Sequence, residues 1–233
     1  MGSYVTEFVY LTLKPSVRPE DRANEEGRAF LEAIGATRQQ SGYVRSYWGR
    51  TIENENNVVW VIEWRDNNSS APLSLLDSLL EKETRPISLH ATLTPPLLQD
   101  KETELLTASP VTELAVLGFP HNLEPHDRSA LDNDLVQFRA ALLGLQQVKA
   151  PASFSMGWVE RPSAVPHTGS PSGQASLVIL VVGWGSKEEH EAVRETEEFG
   201  RTIKPIRERM VPATPALQMR HVRFKRDERK EEI

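Results

Sequence analysis

Residues able to carry a proton recur in matched pairs along this chain. Glu7 stands in Val5-Thr6-Glu7-Phe8, and Glu113 stands in Val111-Thr112-Glu113-Leu114. Each interrupts an otherwise apolar strand face, so its carboxylate must be paired, protonated or reached by water. Arg45, Arg50 or Arg220 could be the partner in a structural ion pair. The other reading is an acid/base group whose pKa burial has raised. His90 and His221 form a second pair, in Leu89-His90-Ala91 and Arg220-His221-Val222, each in the last apolar run of its half. An imidazole there can transfer a proton near neutral pH, or it can bond a neighbouring carbonyl as a structural group. Glu7, Glu113, His90, His221 and Arg50 are therefore the candidate catalytic residues. Glu63 has no acidic counterpart, because Gly183 occupies the matching place, so one half alone could hold the chemistry. His190 is expected to sit half exposed on a helix, and His121, His126 and His167 in solvated loops.

Other chemistries find no support. The chain has no cysteine, which removes disulfides, thiolate nucleophiles and cysteine metal sites. No His-x-His or His-Glu-x-x-His spacing occurs, so no dedicated metal site is expected. Gly-x-Gly-x-x-Gly, Gly-Lys-[Ser/Thr] and Gly-x-Ser-x-Gly are absent too, so no nucleotide, flavin or NAD is expected, and no cofactor is assigned. The net charge of −6, with no basic face, argues against a nucleic-acid partner. No apolar run approaches the ~18 residues of a membrane helix, and the first residues lack a signal pattern. A cytoplasmic location is the expectation, with which the missing cysteine agrees.

The elements that would position these residues follow from periodicity. Val5–Leu13, Tyr43–Ile52, Val58–Arg65 and Ile87–Leu93 read as strands. Pro19–Gln40 reads as a helix with Ala23, Phe30, Leu31 and Ile34 inward, closed by Ser41-Gly42. Leu73, Leu76, Leu79 and Leu80 form a second helical stripe. The other half repeats this order. Val111–Phe119, Phe154–Glu160, Leu177–Trp184 and Leu217–Phe224 are strands, and Asp127–Gln147 is a helix with Leu131, Leu135, Phe138 and Leu142 inward. Ser186 and Glu189 make a capping box for a helix whose inward residues run from Val193 to Ile206. Arg161–Gly173, rich in Pro, Ser and Gly, reads as a long mobile loop. The charged end from Lys225 is expected to fray.

Four short matches fall in the same order in both halves. They are Val5–Phe8 with Val111–Leu114, Tyr47–Arg50 with Gly157–Arg161, Val58–Trp64 with Val178–Trp184, and the two histidine strands. Their separation widens along the chain, which places insertions between elements, where they are tolerated. The expected organisation is a repeat over 1–100, a second over 108–225, and a disordered charged tail over 226–233. Alternation splits each strand into two faces. Aliphatic residues suit packing on helices, while Phe8, Tyr10, Tyr47, Trp48 and Trp60, with Phe154 and Trp158 as their counterparts, are assigned to a cavity wall. Ordinary core burial is the competing reading for each. Trp64 and Trp184, at strand ends, are expected to be structural.

The order βαββαβ, taken twice, resembles the dimeric α+β barrel superfamily, and within it the antibiotic-biosynthesis-monooxygenase-like domains found as tandem pairs in fungal proteins. The residues that carry the likeness are Gly42-Tyr43 with Tyr47-Trp48-Gly49-Arg50, the strand-ending Trp64 and Trp184, Gly183 to His190 at a helix start, Phe199 to Ile203, and Met219-Arg220-His221-Val222. The resemblance implies two ferredoxin-like repeats closing into an intramolecular α+β barrel, as monomer or homodimer, with a ligand pocket between the sheets. Trp64-Arg65-Asp66-Asn67-Asn68 lacks the histidine of the helix start, so if that residue matters only the second half carries it. The resemblance further implies work without a cofactor on a small apolar substrate. The leading expectation is a secondary-metabolism cyclase or isomerase, a pericyclic step included, acting on a terpenoid or polyketide held in reactive geometry. A cofactor-free monooxygenase and a non-catalytic small-molecule carrier or stress-response protein are the alternatives.

Overall fold

Runs of β-branched and aromatic residues form antiparallel strands, and the 3.6-period stretches form helices on them, in the computed structural model, which describes residues 4–97, 105–145 and 154–227. In chain order the first elements are β1 (Val5–Thr12), α1 (Glu25–Ala36), β2 (Tyr43–Arg50), β3 (Asn57–Trp64) and β4 (Ile87–Ala91). After a single turn α2 (Leu105–Ala108) come β5 (Val111–Pro120), α3 (Pro125–Leu145), β6 (Phe154–Arg161), β7 (Val165–Pro166) and β8 (Gln174–Trp184). The chain ends with α4 (Lys187–Arg194), α5 (Glu197–Arg207), β9 (Arg220–Val222) and β10 (Lys225–Arg226). The fold is mixed α+β and divides into two units, Met1–Thr92 with Val222–Ile233, and Leu93–His221. No helix among the described residues is long and apolar enough to cross a membrane.

In the first unit the strand order is β10-β2-β3-β1-β4. Val5 lies opposite Trp64, and Glu7 lies opposite both Ile62 and His90, which turns Glu7, His90 and Trp64 to the same face. That face packs under α1, with Val9, Leu11, Phe30, Ile34, Trp48, Trp60 and Ile62 in its core. The helix is shorter than its pattern predicts. Asn24 accepts a hydrogen bond from the Gly27 amide at 2.6 Å and so starts the helix there, leaving Ala23 outside and exposed. The expected second helix is a 3₁₀ segment, Leu73–Leu79. Leu73, Leu76 and Leu79 recur every third residue, which is the 3₁₀ repeat, and Leu80 is already extended. Gly42, at φ +82°, turns the chain into β2 in a conformation that favours glycine.

The charged C-terminal end does not fray at Lys225. Lys225 and Arg226 pair with Trp48 and Tyr47, and Asp227 forms an ion pair with Arg38 at 2.7 Å. The approach is close at Gly49, where a Cβ would stand 2.4 Å from the Arg223 carbonyl oxygen. This segment thus belongs to the first unit, although sequence order assigns it to the second repeat. Residues 228–233 of the expected tail, residues 99–104 of the linker expected over 99–110 and the last two residues of the expected 127–147 helix lie outside the described residues.

In the second unit the order is β6-β8-β5-β9, with β7 also on β8. Val111 lies opposite Trp184, as Val5 does opposite Trp64. Leu131, Leu135, Phe138 and Leu142 of α3 pack on the sheet with Val193, Phe199, Ile203 and Ile206. The expected single helix after Ser186 is two, because Thr196 caps a new start at Glu197, its hydroxyl accepting from the Phe199 amide. Ser186 Oγ accepts from the Glu189 amide at 3.1 Å, and the Glu189 carboxylate accepts from the Gly185 amide at 2.6 Å. Within the expected mobile loop, Val165–Pro166 pairs with β8 and the His167 ring bonds the Pro212 carbonyl at 2.8 Å.

Candidate functional site

Glu113 points from β5 to the helix-bearing face of the second sheet. Its Oε2 accepts a hydrogen bond from the Trp184 indole N–H at 2.9 Å and lies 3.4 Å from His190 Nε2. His190 stands in the first turn and a half of α4. The Ser186 cap sets the phase of that helix, so His190 and, three residues on, Val193 face the sheet. The His190 ring stacks on Trp184 with centroids 4.9 Å apart and planes 19° apart. Its Nδ1 is 2.8 Å from His221 Nε2 on β9. Carboxyl, imidazole and imidazole are thus in series, braced by one indole that bonds the first and stacks on the second.

Burial pushes the Glu113 carboxyl up to about 7, with the Trp184 N–H and the Arg194 charge pulling the other way to a lesser degree. Burial also pushes His190 down to about 3, aided by the charges of His221, Arg194 and Lys187. Both effects favour a neutral acid beside a neutral imidazole. The series permits two proton arrangements. With Glu113 ionised, His190 offers Nε2–H to it and accepts at Nδ1 from His221. With Glu113 protonated, the opposite tautomer donates from Nδ1 to His221.

The site opens into a cavity of about 170 Å³ between sheet and helices. Its wall is largely apolar, including Ala115, Phe138, Leu180, Phe199, Ile203 and Met210, and Glu113, His190, Arg194 and Arg207 supply its polar groups. Among the described residues no group of three or more His, Asp or Glu side chains is arranged to hold a metal ion.

The first-unit counterpart is a closed version. Glu7 Oε2 accepts from the Trp64 indole and the Ala71 amide, each at 2.9 Å, and Oε1 accepts from the Ser88 hydroxyl at 2.7 Å. His90 Nε2 lies 3.6 Å from Glu7 and 3.2 Å from the Ser69 carbonyl. Glu7 is 0% exposed and its oxygens are taken up by protein donors.

The remaining candidates fall elsewhere. Arg50 is committed to Glu20 at 3.0 Å, to the Val17 carbonyl at 2.8 Å and to the Glu55 carbonyl, so it ties loops together and is not the partner of Glu7. Arg45 pairs with the buried Glu63, and Arg220 donates to the Ala216 carbonyl. Trp48 and Trp60 belong to the core under α1, with Trp48 edge-on to Phe30 at 5.5 Å. Their assignment to a cavity wall is corrected: a twelve-residue helix and a 3₁₀ segment leave deep space above the sheet, and indoles fill it. Phe154 packs on Phe138 at 6.2 Å, again as core. Trp158 donates to Asp132 at 2.8 Å and lies under the Arg128 guanidinium. Phe8, Tyr10 and Tyr47 lie on the sheet face opposite α1 and are buried.

Of the candidates, Glu113 lines the cavity and His221 adjoins it through His190. His190, expected half exposed, is 2% exposed. The signal that places it is the Ser186 cap, four residues earlier. Arg194 and Arg207 carry no sequence signal beyond their positions at helix ends.

No family model and no curated protein matches this chain. Solved structures do. An anthrone oxidase-like protein superposes with a TM-score of 0.57 at 14% identity, over 98% of this chain and 95% of its own. A "putative monooxygenase" of Fusobacterium nucleatum gives 0.53 at 8% identity, over 97% and 94%. A "putative chlorite dismutase" gives 0.52 at 12%, over 97% and 96%. At these identities the likeness is one of fold alone, a mixed α+β architecture shared with these proteins.

Proposed function

We propose that this protein is a cofactor-independent acid–base enzyme that binds a small, mainly apolar, enolisable or phenolic ring in the second-unit cavity and moves a proton through Glu113. The observation that carries this reading is a carboxyl held near pH 7 at the wall of an apolar cavity, in series with two imidazoles. A base is most effective when its pKa lies near the working pH. Ionised Glu113 takes a proton from carbon or oxygen and holds it as the neutral acid that its burial favours. Return of the proton at another carbon is an isomerisation, and its delivery to a reactive carbon can set off ring closure. A cavity of about 170 Å³ falls below the roughly 300–1,000 Å³ that enclose drug-sized ligands. It favours proton transfer on a compact ring over the conformational folding of a long terpenoid or polyketide.

The two units are diverged copies on this reading, supported by the shared register of Glu and Trp and the shared 2.9 Å indole–carboxylate bond. The second copy kept an open carboxyl and the first closed over its own.

Likeness to an anthrone oxidase-like protein supports a second outcome for the same deprotonation. The carbanion of a ring CH2 group can react with dioxygen, so that CH2 becomes C=O and the other oxygen atom leaves in water. One experiment covers both. Anthrone and 2-tetralone are incubated with the protein in deuterium oxide, with and without air, and followed by NMR. Deuterium entry at the acidic carbon is expected under both atmospheres, and to fall about 100-fold or more in Glu113→Gln. Ketone formation in air alone selects the oxidative outcome. Exchange that is absent, or equal in Glu113→Gln, rejects the enzyme reading and leaves a binding protein.

A further inference from the structure

We infer that the substrate of this cavity carries an anionic oxygen group, a carboxylate or phenolate, which Arg194 and Arg207 hold at the mouth while its apolar ring enters toward Glu113. This rests on the reading of the cavity proposed above.

Arg194 ends α4 and Arg207 ends α5, and both line the cavity that Glu113 and Phe199 also line. Both residues are exposed. Their aliphatic stems can border the apolar wall while the charged heads stand at its rim. Other cations of these helices turn to carboxylates of their own helix: Lys187 to Glu191 at 3.9 Å, Arg201 to Glu198 at 2.6 Å and Lys204 to Glu208 at 3.9 Å. Arg207 lies instead over the Phe199 ring, 5.8 Å from its centroid. The Arg194 charge acts on both Glu113 and His190, which puts it on the cavity side of α4.

Two guanidiniums at the rim repel a cationic ligand, and a neutral one makes no use of them. A carboxylate matches the guanidinium fork in charge and in planar geometry.

The test is calorimetric titration of the full chain with 2-naphthoate and with its neutral counterpart 2-naphthamide. The proteins are the wild type, the double variant Arg194→Gln/Arg207→Gln, and Met219→Trp. Met219 lines the cavity and is 36% exposed, so a larger side chain there blocks the mouth without disturbing the interior. The expected result is naphthoate bound about tenfold or more tightly than the amide by the wild type. In the double variant that preference should shrink to about twofold or less, with amide binding unchanged. Met219→Trp should weaken both. Equal binding of the two probes by the wild type, or a preference that survives loss of both arginines, overturns the anion inference and leaves the acid–base reading intact. Binding that is absent in the wild type, or unaffected by Met219→Trp, overturns the cavity reading and this inference with it.

Discussion

Replacing Glu113 by Gln should change how stability depends on pH more than it changes stability at any one pH. Burial raises the Glu113 carboxyl from an ordinary 4.5 to about 7. A raised acid favours the folded state while it is protonated. Its contribution is fully present below pH 4.5 and is lost as pH rises through 7, because the unfolded chain has already released that proton. At about 1.4 kcal/mol per pH unit between the two pKa values, the loss is about 3 kcal/mol. Gln fills the same volume, and its carbonyl oxygen can still accept the Trp184 N–H, but it does not titrate. His190, held down to about 3, has the opposite slope: its contribution is present above 6.5 and lost as pH falls toward 3. That slope is common to both proteins and drops out of their difference. The assay is urea unfolding of wild type and Glu113→Gln at pH 4.5, 6, 7 and 8.5. The wild type should be the more stable of the two at pH 4.5 relative to its standing at 8.5, by about 3 kcal/mol. A difference that stays constant with pH would refute the reasoning, since the carboxyl would then ionise alike in folded and unfolded chains.

Trp184→Phe removes the N–H donor to Glu113 and keeps an aromatic face for His190. The carboxylate loses a stabilising hydrogen bond, so the acidic limb of a pH–rate profile, set by ionisation of the base, should move to higher pH, and stability should fall by about 1–2 kcal/mol. Glu7→Ala leaves three buried donors, from Trp64, Ala71 and Ser88, without their acceptor. It should cost about 3 kcal/mol in urea unfolding while turnover per folded molecule stays at the wild-type level. Gly49→Ala drives a Cβ against the Arg223 carbonyl and should lower the melting temperature by several degrees, at roughly 1–3 kcal/mol. Gly35→Ala, with open space at its Cβ position, should have no such cost.

Strands and their phases are legible because alternation is a local signal. The matched placing of Glu7 and Glu113, and of Trp64 and Trp184, also survives in the structure as a shared register. Where the structure departs from these patterns, contacts outside the strand or stripe itself decide. The indoles of Trp48 and Trp60 read as cavity wall by size, but α1 is short and leaves room for them in the core. His190 reads as half exposed from composition, yet the Ser186 cap four residues earlier turns it to the sheet. The pairing of Lys225 and Arg226 with Trp48 and Tyr47 joins residues nearly the whole chain apart, and nothing in a charged tail announces it. The openness of Glu113 against the closure of Glu7 depends on what covers each. Over Glu7 the Ala71 amide and Ser88 donate to the carboxylate, whereas beside Glu113 the helix pair α4 and α5 leaves a cavity.

The most direct measurement is the titration of the Glu113 carboxyl carbon by 13C NMR in Glu-labelled protein, assigned by loss of the signal in Glu113→Gln. A midpoint near 7 that shifts when 2-tetralone or anthrone is added is the expected result, since the carboxyl is both buried and at the cavity wall. A midpoint near 4.5, or one indifferent to either ring, would contradict a general base at this site.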